Sequence, residues 1–73
     1  MTRTLRLIYP PSLANEPILY YLIRRFELTV NMRQAQITLQ EGWLEVEVSG
    51  QEEEIARATS WLKQEGVEVE SVG

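Results

Sequence analysis

The apolar residues of segment 26–39, F-E-L-T-V-N-M-R-Q-A-Q-I-T-L, switch from even to odd positions, and this switch constrains the fold strongly. These apolar positions are Leu28, Val30, Met32, Ala35, Ile37 and Leu39. Because side chains in a strand alternate between faces, both sets reach one face only if the register shifts between them. One extra residue near Arg33 or Gln34, a β-bulge, makes that shift. We therefore predict a bulged strand, in which the bulge either fits a small twisted sheet or lies beside a binding site.

Three other segments alternate apolar and polar residues, as half-buried strands do. These predicted strands cover residues 4–9, 43–49 and 67–72. Their inward side chains are Leu5, Leu7, Tyr9, Leu44, Val46, Val48, Val67 and Val69. With the bulged strand, the chain therefore has four strands.

Turn-forming residues end or connect the predicted strands. Pro10 and Pro11 end the first strand, because proline cannot donate to a ladder. In the segment 40–42, Gly42 is expected to take the positive φ that a tight reversal needs. The bulged strand and the strand after it are thus predicted to form a hairpin.

The first helix is predicted from an apolar stripe at helical spacing. The stripe consists of Ile18, Leu19, Leu22, Ile23 and Phe26. Asn15 is the expected N-cap, and Glu16 and Pro17 are expected in the first turn, where both residue types are favourable. Arg24 and Arg25 fall in the last turn, on the favourable side of the helix dipole.

The second helix has a start and a stop signal. Ser49 and Glu52 have the three-residue spacing of a capping box, and the glutamates at 52–54 suit the first turn. The predicted buried stripe consists of Ile55, Ala58 and Leu62. Gly66 is expected to end the helix as a left-handed cap.

The element order β-α-β-β-α-β predicts a single α+β domain over residues 1–73. We expect a ferredoxin-like fold, with two helices on one face of a four-stranded antiparallel sheet of strand order 4-1-3-2. Arg6 would then lie on the uncovered face between two pairs of candidate carboxylates. These are Glu45 or Glu47 on one side and Glu68 or Glu70 on the other.

Composition argues against catalysis. The chain has no cysteine and no histidine, so it lacks thiol nucleophiles, thiolate metal sites and imidazole bases. It also has no phosphate-binding glycine loop. The glutamates on the predicted uncovered face can form an acidic patch, but such side chains are usually solvated or paired with arginine. We expect a protein that is not an enzyme and that has no metal or cofactor.

Charge limits the partners. The net charge of −4 argues against nucleic acid, which basic surfaces bind. Residues 1–33 carry +3 and residues 34–73 carry −7, a split that can steer head-to-tail association but more simply pairs neighbouring segments within the fold. No apolar run approaches the roughly 20 residues that cross a bilayer, and no signal peptide is visible. A cytoplasmic domain without membrane insertion is expected.

Aromatic residues provide candidate contact surfaces. Tyr20 and Tyr21 are adjacent, so at most one can join the helix stripe fully, and the other covers the helix flank or meets a partner. Trp61 is expected to pack on the core. Trp43, beside Ile8 on the uncovered face, either shields the sheet edge or forms a self-association patch.

The chain resembles the NIL domain, the regulatory module at the C-terminus of the ATPase subunit of methionine importers. The resemblance covers nearly the whole chain. It depends on P-I-L-Y-Y-L-I-R-R-F at 17–26, V-N-M-R-Q-A-Q-I at 30–37, Gly42, A-x-x-W-L at 58–62 and V-E-V-E-S-V-G at 67–73. It implies an ACT-like, ferredoxin-like fold, pairing of two copies, and methionine binding that reduces transport. Related domains also occur fused to ferredoxin modules.

The family's signature tripeptide, Asn-Ile-Leu, reads Asn31, Met32, Arg33 in this chain. Asn31 is kept, whereas Arg33 places a charge where the family has an aliphatic residue; this disfavours a methionine pocket or shifts it toward a more anionic ligand. No ATPase is present in the sequence, so the domain is either excised or free-standing.

Two functions follow as hypotheses. In the first, the chain is a regulatory module that binds an amino acid, with methionine as one candidate, between two copies near the bulge. Asn31 would orient the polar end of the ligand, Met32 and Tyr21 would contact its apolar part, and Arg33 would hold a carboxylate. In the second, the chain is an interaction or dimerisation module without a ligand. Its partner, for example a transporter ATPase or a ferredoxin module, would bind an exposed strand edge or the face around Trp43.

Overall fold

The computed structural model describes residues 1–13, 15–38 and 42–72. The elements in chain order are β1 (Thr2–Tyr9), a 3-10 turn (Pro11–Leu13), α1 (Ile18–Arg25), β2 (Thr29–Ile37), β3 (Gly42–Ser49), α2 (Glu52–Gln64) and β4 (Glu68–Ser71). The four strands form one antiparallel sheet in the order β2-β3-β1-β4. This is the predicted order 4-1-3-2 read from the other edge, so the ferredoxin-like prediction is confirmed.

The predicted bulge in β2 is also confirmed. Met32 lies opposite Val46 and Gln34 lies opposite Glu45, so Arg33 is the extra residue. Through this shift, the apolar residues on both sides of the bulge face the same side of the sheet as the buried residues of β3. They are Val30, Met32, Ala35 and Ile37, and we call them the β2 apolar row. Leu39, the last apolar residue of the pattern, lies outside the described residues.

The core lies between the sheet and the two helices. Its buried side chains are Leu5, Leu7, Ile18, Leu22, Leu44, Val46, Val48, Ile55, Ala58, Leu62 and Val67. Ten of them belong to the inward positions of β1 and β3 or to the predicted helix stripes, and Val67 directly precedes β4. Strand alternation and helix periodicity therefore predict which side of each element enters the core.

The start of α1 differs from the prediction. Pro17, not Asn15, is the N-cap, and no side chain caps the helix. Glu16 stays outside the first turn, since the first helical carbonyl is that of Pro17, which accepts from the Tyr21 amide at 3.1 Å. Asn15 lies two residues before the cap, which is too far upstream to act as one.

The buried stripe of α1 is narrower than predicted. Ile18 and Leu22 are buried, Leu19 is partly buried, and Ile23 is 51% exposed. The helix ends at Arg25, and Phe26 follows in an extended conformation. Because α1 has only eight residues, little more than two turns, it covers little of the sheet.

The predicted capping box of α2 is wrong. Ser49 remains in β3, where its hydroxyl lies 3.0 Å from the hydroxyl of Thr2, and Gln51 is the N-cap without a side-chain bond. Pairing with β1 holds Ser49 in the sheet, so its side chain does not cap α2. The acidic first turn, residues 52–54, is confirmed.

Two glycines were predicted to have positive φ. Gly66 does, at 99°, just after α2. Gly42 does not, because it continues β3 as an extended residue opposite Tyr9 and Ile37. The hairpin between β2 and β3 is confirmed by their antiparallel pairing, while Gln40 and Glu41 of the predicted turn lie outside the described residues.

Candidate functional site

The β2 apolar row is exposed although it lies on the helix side of the sheet. Met32 is 52% and Ile37 80% exposed, Ala35 is exposed, and only Val30 packs against the core. β2 is an edge strand, so its outer backbone edge is also open to a partner. An exposed apolar row beside an open strand edge is a surface to which a second chain or a ligand can bind.

On the other side of β2, the bulge brings opposite charges together. Asn31 lies directly opposite Glu47, and Arg33 Nη1 lies 3.3 Å from Glu47 Oε2. Both charged side chains are well exposed, at 54% for Arg33 and 36% for Glu47. The three side chains present an amide, a guanidinium and a carboxylate to solvent. These are the groups that recognise the carboxylate and ammonium of an amino acid.

The four predicted ligand residues do not meet at one point within the chain. Asn31 and Arg33 share the uncovered face of the sheet, whereas Met32 lies on the helix side, opposite Val46. Tyr21 lies on α1 and is 36% exposed. Because β2 is at the edge, a ligand or second copy there can reach both faces of the strand.

The second predicted surface surrounds Trp43. In the sheet register, Ile8 lies opposite Trp43, and both are partly buried. The guanidinium of Arg6 lies 4.7 Å from the centroid of the Trp43 ring, a cation–π distance. Trp43 thus packs on its own sheet.

Glu45 and Glu70 flank Arg6 in the sheet. Arg6 Nη2 lies 3.4 Å from Glu45 Oε1, and Glu70 lies opposite Arg6 on the β4 side. The Nε of Arg6 is buried and has no hydrogen-bond partner. Between the two candidates on each side, the structure therefore selects Glu45 and Glu70.

The α1 tyrosines remain mainly outside the core. Tyr20 is 57% exposed, and its ring lies 5.8 Å from that of Tyr21 in an edge-on arrangement. Trp61 packs against the core as predicted, 5.9 Å from the Phe26 ring. Neither tyrosine joins the buried stripe, so both are available to a partner on the helix side.

One buried polar group lies on the core side of β1. The hydroxyl of Tyr9 is buried and has no hydrogen-bond partner, and burial raises the pKa of Tyr9 to about 12. Burying this hydroxyl without a partner among the described residues affects the stability of the fold.

The described part of the chain contains no group of three acidic residues arranged to hold a metal ion. Of its two helices, neither is long and apolar enough to span a membrane. The candidate site thus consists of the exposed surface of β2 and its neighbours.

Sequence reasoning missed Glu47 as part of this site. The signal was present, because β3 alternates and places Glu47 on the uncovered face. The prediction left Glu45 and Glu47 as alternative neighbours of Arg6, and the structure pairs Arg6 with Glu45. Only the register of the bulged hairpin brings Glu47 to Asn31 and Arg33.

Comparison with known proteins gives a family and a structural neighbour. The family model described as the NIL domain matches residues 3–71. The C-terminal domain of an ABC transporter ATP-binding protein from Enterococcus faecalis has a crystal structure similar to this one, with a TM-score of 0.85 and 25% sequence identity. The match covers 97% of this chain and 83% of that one. No curated protein matches the sequence.

Proposed function

This chain belongs to the NIL domain family, and on that premise we propose that it is a regulatory module that binds an amino acid, such as methionine, between two copies of itself. The family is regulatory rather than catalytic, and the structural neighbour is the C-terminal domain of an ABC transporter ATP-binding protein. The exposed surface of β2 is the observation that carries the proposal.

Pairing of two copies is supported by the β2 apolar row. A domain of 73 residues has a small core, so apolar surface left exposed on it is costly unless a partner covers it. The open edge of β2 offers backbone donors and acceptors beside Met32 and Ile37. A second copy placed there would bury both side chains.

The polar side of β2 supports recognition of a zwitterion. Arg33 would bind the carboxylate of the amino acid, Glu47 its ammonium, and Asn31 would orient either group. Met32 and Tyr21, which lie on the helix side, would contact the apolar side chain of the ligand from the paired copy. Arg33, which replaces an aliphatic residue of the family's signature, would then take part in binding.

The partner implied by this function is a transporter ATPase in the cytoplasm, with a ferredoxin module as the second candidate. In the first case the domain would report amino-acid abundance to the transporter. The structural neighbour supports this choice, because it belongs to an ABC transporter ATP-binding protein.

A thermal-shift screen against the twenty amino acids tests the proposal. An amino acid present at 100 times its Kd should stabilise the fold by about 2.7 kcal/mol. Asn31→Ala should abolish this gain. Gln36→Ala is the matched control, because Gln36 is exposed on the same face of β2, opposite Trp43. A screen in which no amino acid raises the melting temperature would refute amino-acid binding.

The second candidate function is ligand-free binding of a protein through Trp43 and Ile8. The favouring observation is that Arg6, which stacks on Trp43, has a side chain that is 38% exposed, so a bound chain can contact the guanidinium and the ring together. The same screen separates the two. This candidate predicts no shift with any amino acid and weaker binding to the partner after Trp43→Ala.

A further inference from the structure

A cleft of about 370 Å³ lies between α2 and the β1–β4 side of the sheet. β4 is the opposite edge of the sheet from β2, so this cleft is distinct from the candidate site. Leu5 and Ile55, which are 6% and 4% exposed, line it together with the partly buried Val69. The floor of the cleft is therefore apolar.

Small side chains keep the cleft open. Ala56 and Thr59 line it from α2, and Ser71 lines it from the end of β4. The Thr59 hydroxyl is already used, because it donates to the Ile55 carbonyl at 2.8 Å. A larger side chain at any of these positions would cover the floor, and none is present.

Charged side chains lie at the two ends of the cleft. At one end, Arg3 Nη2 lies 3.8 Å from Glu52 Oε1, and both side chains are largely exposed. Lys63 lines the cleft eleven residues further along α2, about 16 Å away at the helical rise. In the described part of the chain Lys63 has no ion-pair partner. The lining carries a net positive charge on a protein of net charge −4.

Two other depressions among the described residues lack this combination. The one lined by Arg25, Arg57 and three glutamates has no apolar floor. The one beside Phe26 and Trp61 has apolar walls, but its arginine, Arg57, is paired with Glu54 at 2.8 Å. The cleft beside α2 joins an apolar floor to an unpaired cation.

We propose that this cleft binds a small carboxylate that has an aliphatic body, either a short-chain fatty acid or an amino acid with an aliphatic side chain. The body covers Leu5, Ile55 and Val69, and Lys63 binds the carboxylate. An amino acid would bind Lys63 through its carboxylate and leave its ammonium in solvent, because Glu52 lies about 16 Å away at the other end of the cleft. The proposal does not depend on ligand binding at β2.

The test is a titration of the labelled chain with four matched probes. These are hexanoate, norleucine, hexylammonium and hexanol. Amide and methyl chemical shifts monitor binding. Hexanoate should shift the signals of Leu5, Ile55 and Val69, whereas hexylammonium and hexanol should bind at least several-fold more weakly. Norleucine binding as tightly as hexanoate assigns the site to amino acids, and hexanoate binding alone assigns it to fatty acids.

Four substitutions test where hexanoate binds. Lys63→Gln should weaken hexanoate binding by about threefold to tenfold, the effect of losing one charged contact at a partly exposed site. Arg24→Gln is the control, because Arg24 lies exposed on α1, away from the cleft. Ala56→Leu should abolish the shifts by filling the cleft at an exposed helix position. Asn31→Ala should leave them unchanged, which separates this site from the β2 site.

Two results would overturn the proposal. In one, hexanol or hexylammonium shifts the same signals as strongly as hexanoate, so that charge plays no part. In the other, hexanoate at millimolar concentration shifts nothing near Leu5 and Ile55. Should Ala56→Leu fail to fold, the Lys63→Gln titration decides alone.

Discussion

β2 and β3 have similar alternating patterns, but the apolar residues of β3 are buried whereas most of those of β2 are exposed. Both are paired over their whole length, and the β2 apolar row lies in register with Leu44, Val46 and Val48 of β3 on the same side of the sheet. Yet the three β3 residues are at most 9% exposed, while Met32 and Ile37 are 52% and 80% exposed. β3 is central, whereas β2 is an edge strand.

The difference shows that alternation fixes which face a residue joins, but not whether that face is covered. Coverage depends on the helices, and the core contacts of α1 come mainly from Ile18 and Leu22. Leu22 of this eight-residue helix lies among side chains of the central strands β1 and β3, while Met32 and Ile37 of β2 stay exposed. Exposure at β2 is therefore a property of the tertiary structure, and a partner can use it.

The largest expected effect is that of Leu44→Ala on β3. Removing this buried side chain should lower the free energy of unfolding by about 3 kcal/mol, through lost burial and the cavity left behind. Urea denaturation measures it. A loss below about 1 kcal/mol would mean that β3 is not the covered strand of the pair.

The second-largest loss of stability is expected from a substitution at one of the glycines at the two ends of β3. A Cβ at Gly50 would lie 2.6 Å from Leu28 Cδ2 and 3.0 Å from the Glu27 carbonyl oxygen, so Gly50→Ala should destabilise by about 1–3 kcal/mol. Gly42→Ala is the control, because its nearest neighbour is the Gln36 carbonyl oxygen at 3.7 Å. Equal melting temperatures for both variants would contradict the close approach of the β2 entry to Gly50.

The buried Tyr9 hydroxyl predicts that the fold loses stability at alkaline pH. Burial raises the pKa of Tyr9 from 10.0 to about 12, so its contribution to stability is complete below pH 10 and is lost as the pH rises toward 12. Tyr9→Phe should remove this loss, because Phe cannot ionise. Denaturation across this pH range measures it.

Tyr20→Phe is the control for Tyr9→Phe, since the Tyr20 ring is 57% exposed. If Tyr9→Phe and the unmodified chain lost stability equally between pH 10 and 12, Tyr9 would not be the group responsible.

The smallest effect is expected at Ile37. In a single copy at low concentration, Ile37→Ala should change the free energy of unfolding by less than about 0.5 kcal/mol, because Ile37 is 80% exposed. At high concentration the same substitution should weaken pairing of two copies, which sedimentation equilibrium measures. A stability loss that is independent of concentration would show that the chain itself covers Ile37.

Much of the fold follows from the sequence because it depends on local periodicity. The even-to-odd switch around Arg33 predicts the bulge, and the alternation of β1 and β3 predicts the core face. Gly66 has the expected positive φ because the chain reverses directly after α2. These features are determined by neighbours close in sequence.

The features that sequence reasoning missed depend on neighbours distant in sequence. Ser49 has the composition of a cap, but pairing with Thr2 holds it in the sheet. Ile23 fits the helix stripe, yet it is 51% exposed. At the candidate site, residue type and position point to Asn31 and Arg33, whose roles stay predictions, whereas placing Glu47 beside them required the register of the hairpin.

The most direct test of the central claim is a titration of the labelled chain with methionine, monitored by amide chemical shifts. We expect the largest shifts at Asn31, Met32 and Arg33, with a smaller one at Tyr21, and we expect Asn31→Ala to remove them. No shift at β2, or shifts confined to the cleft beside α2, would contradict the account of β2 as the regulatory binding surface.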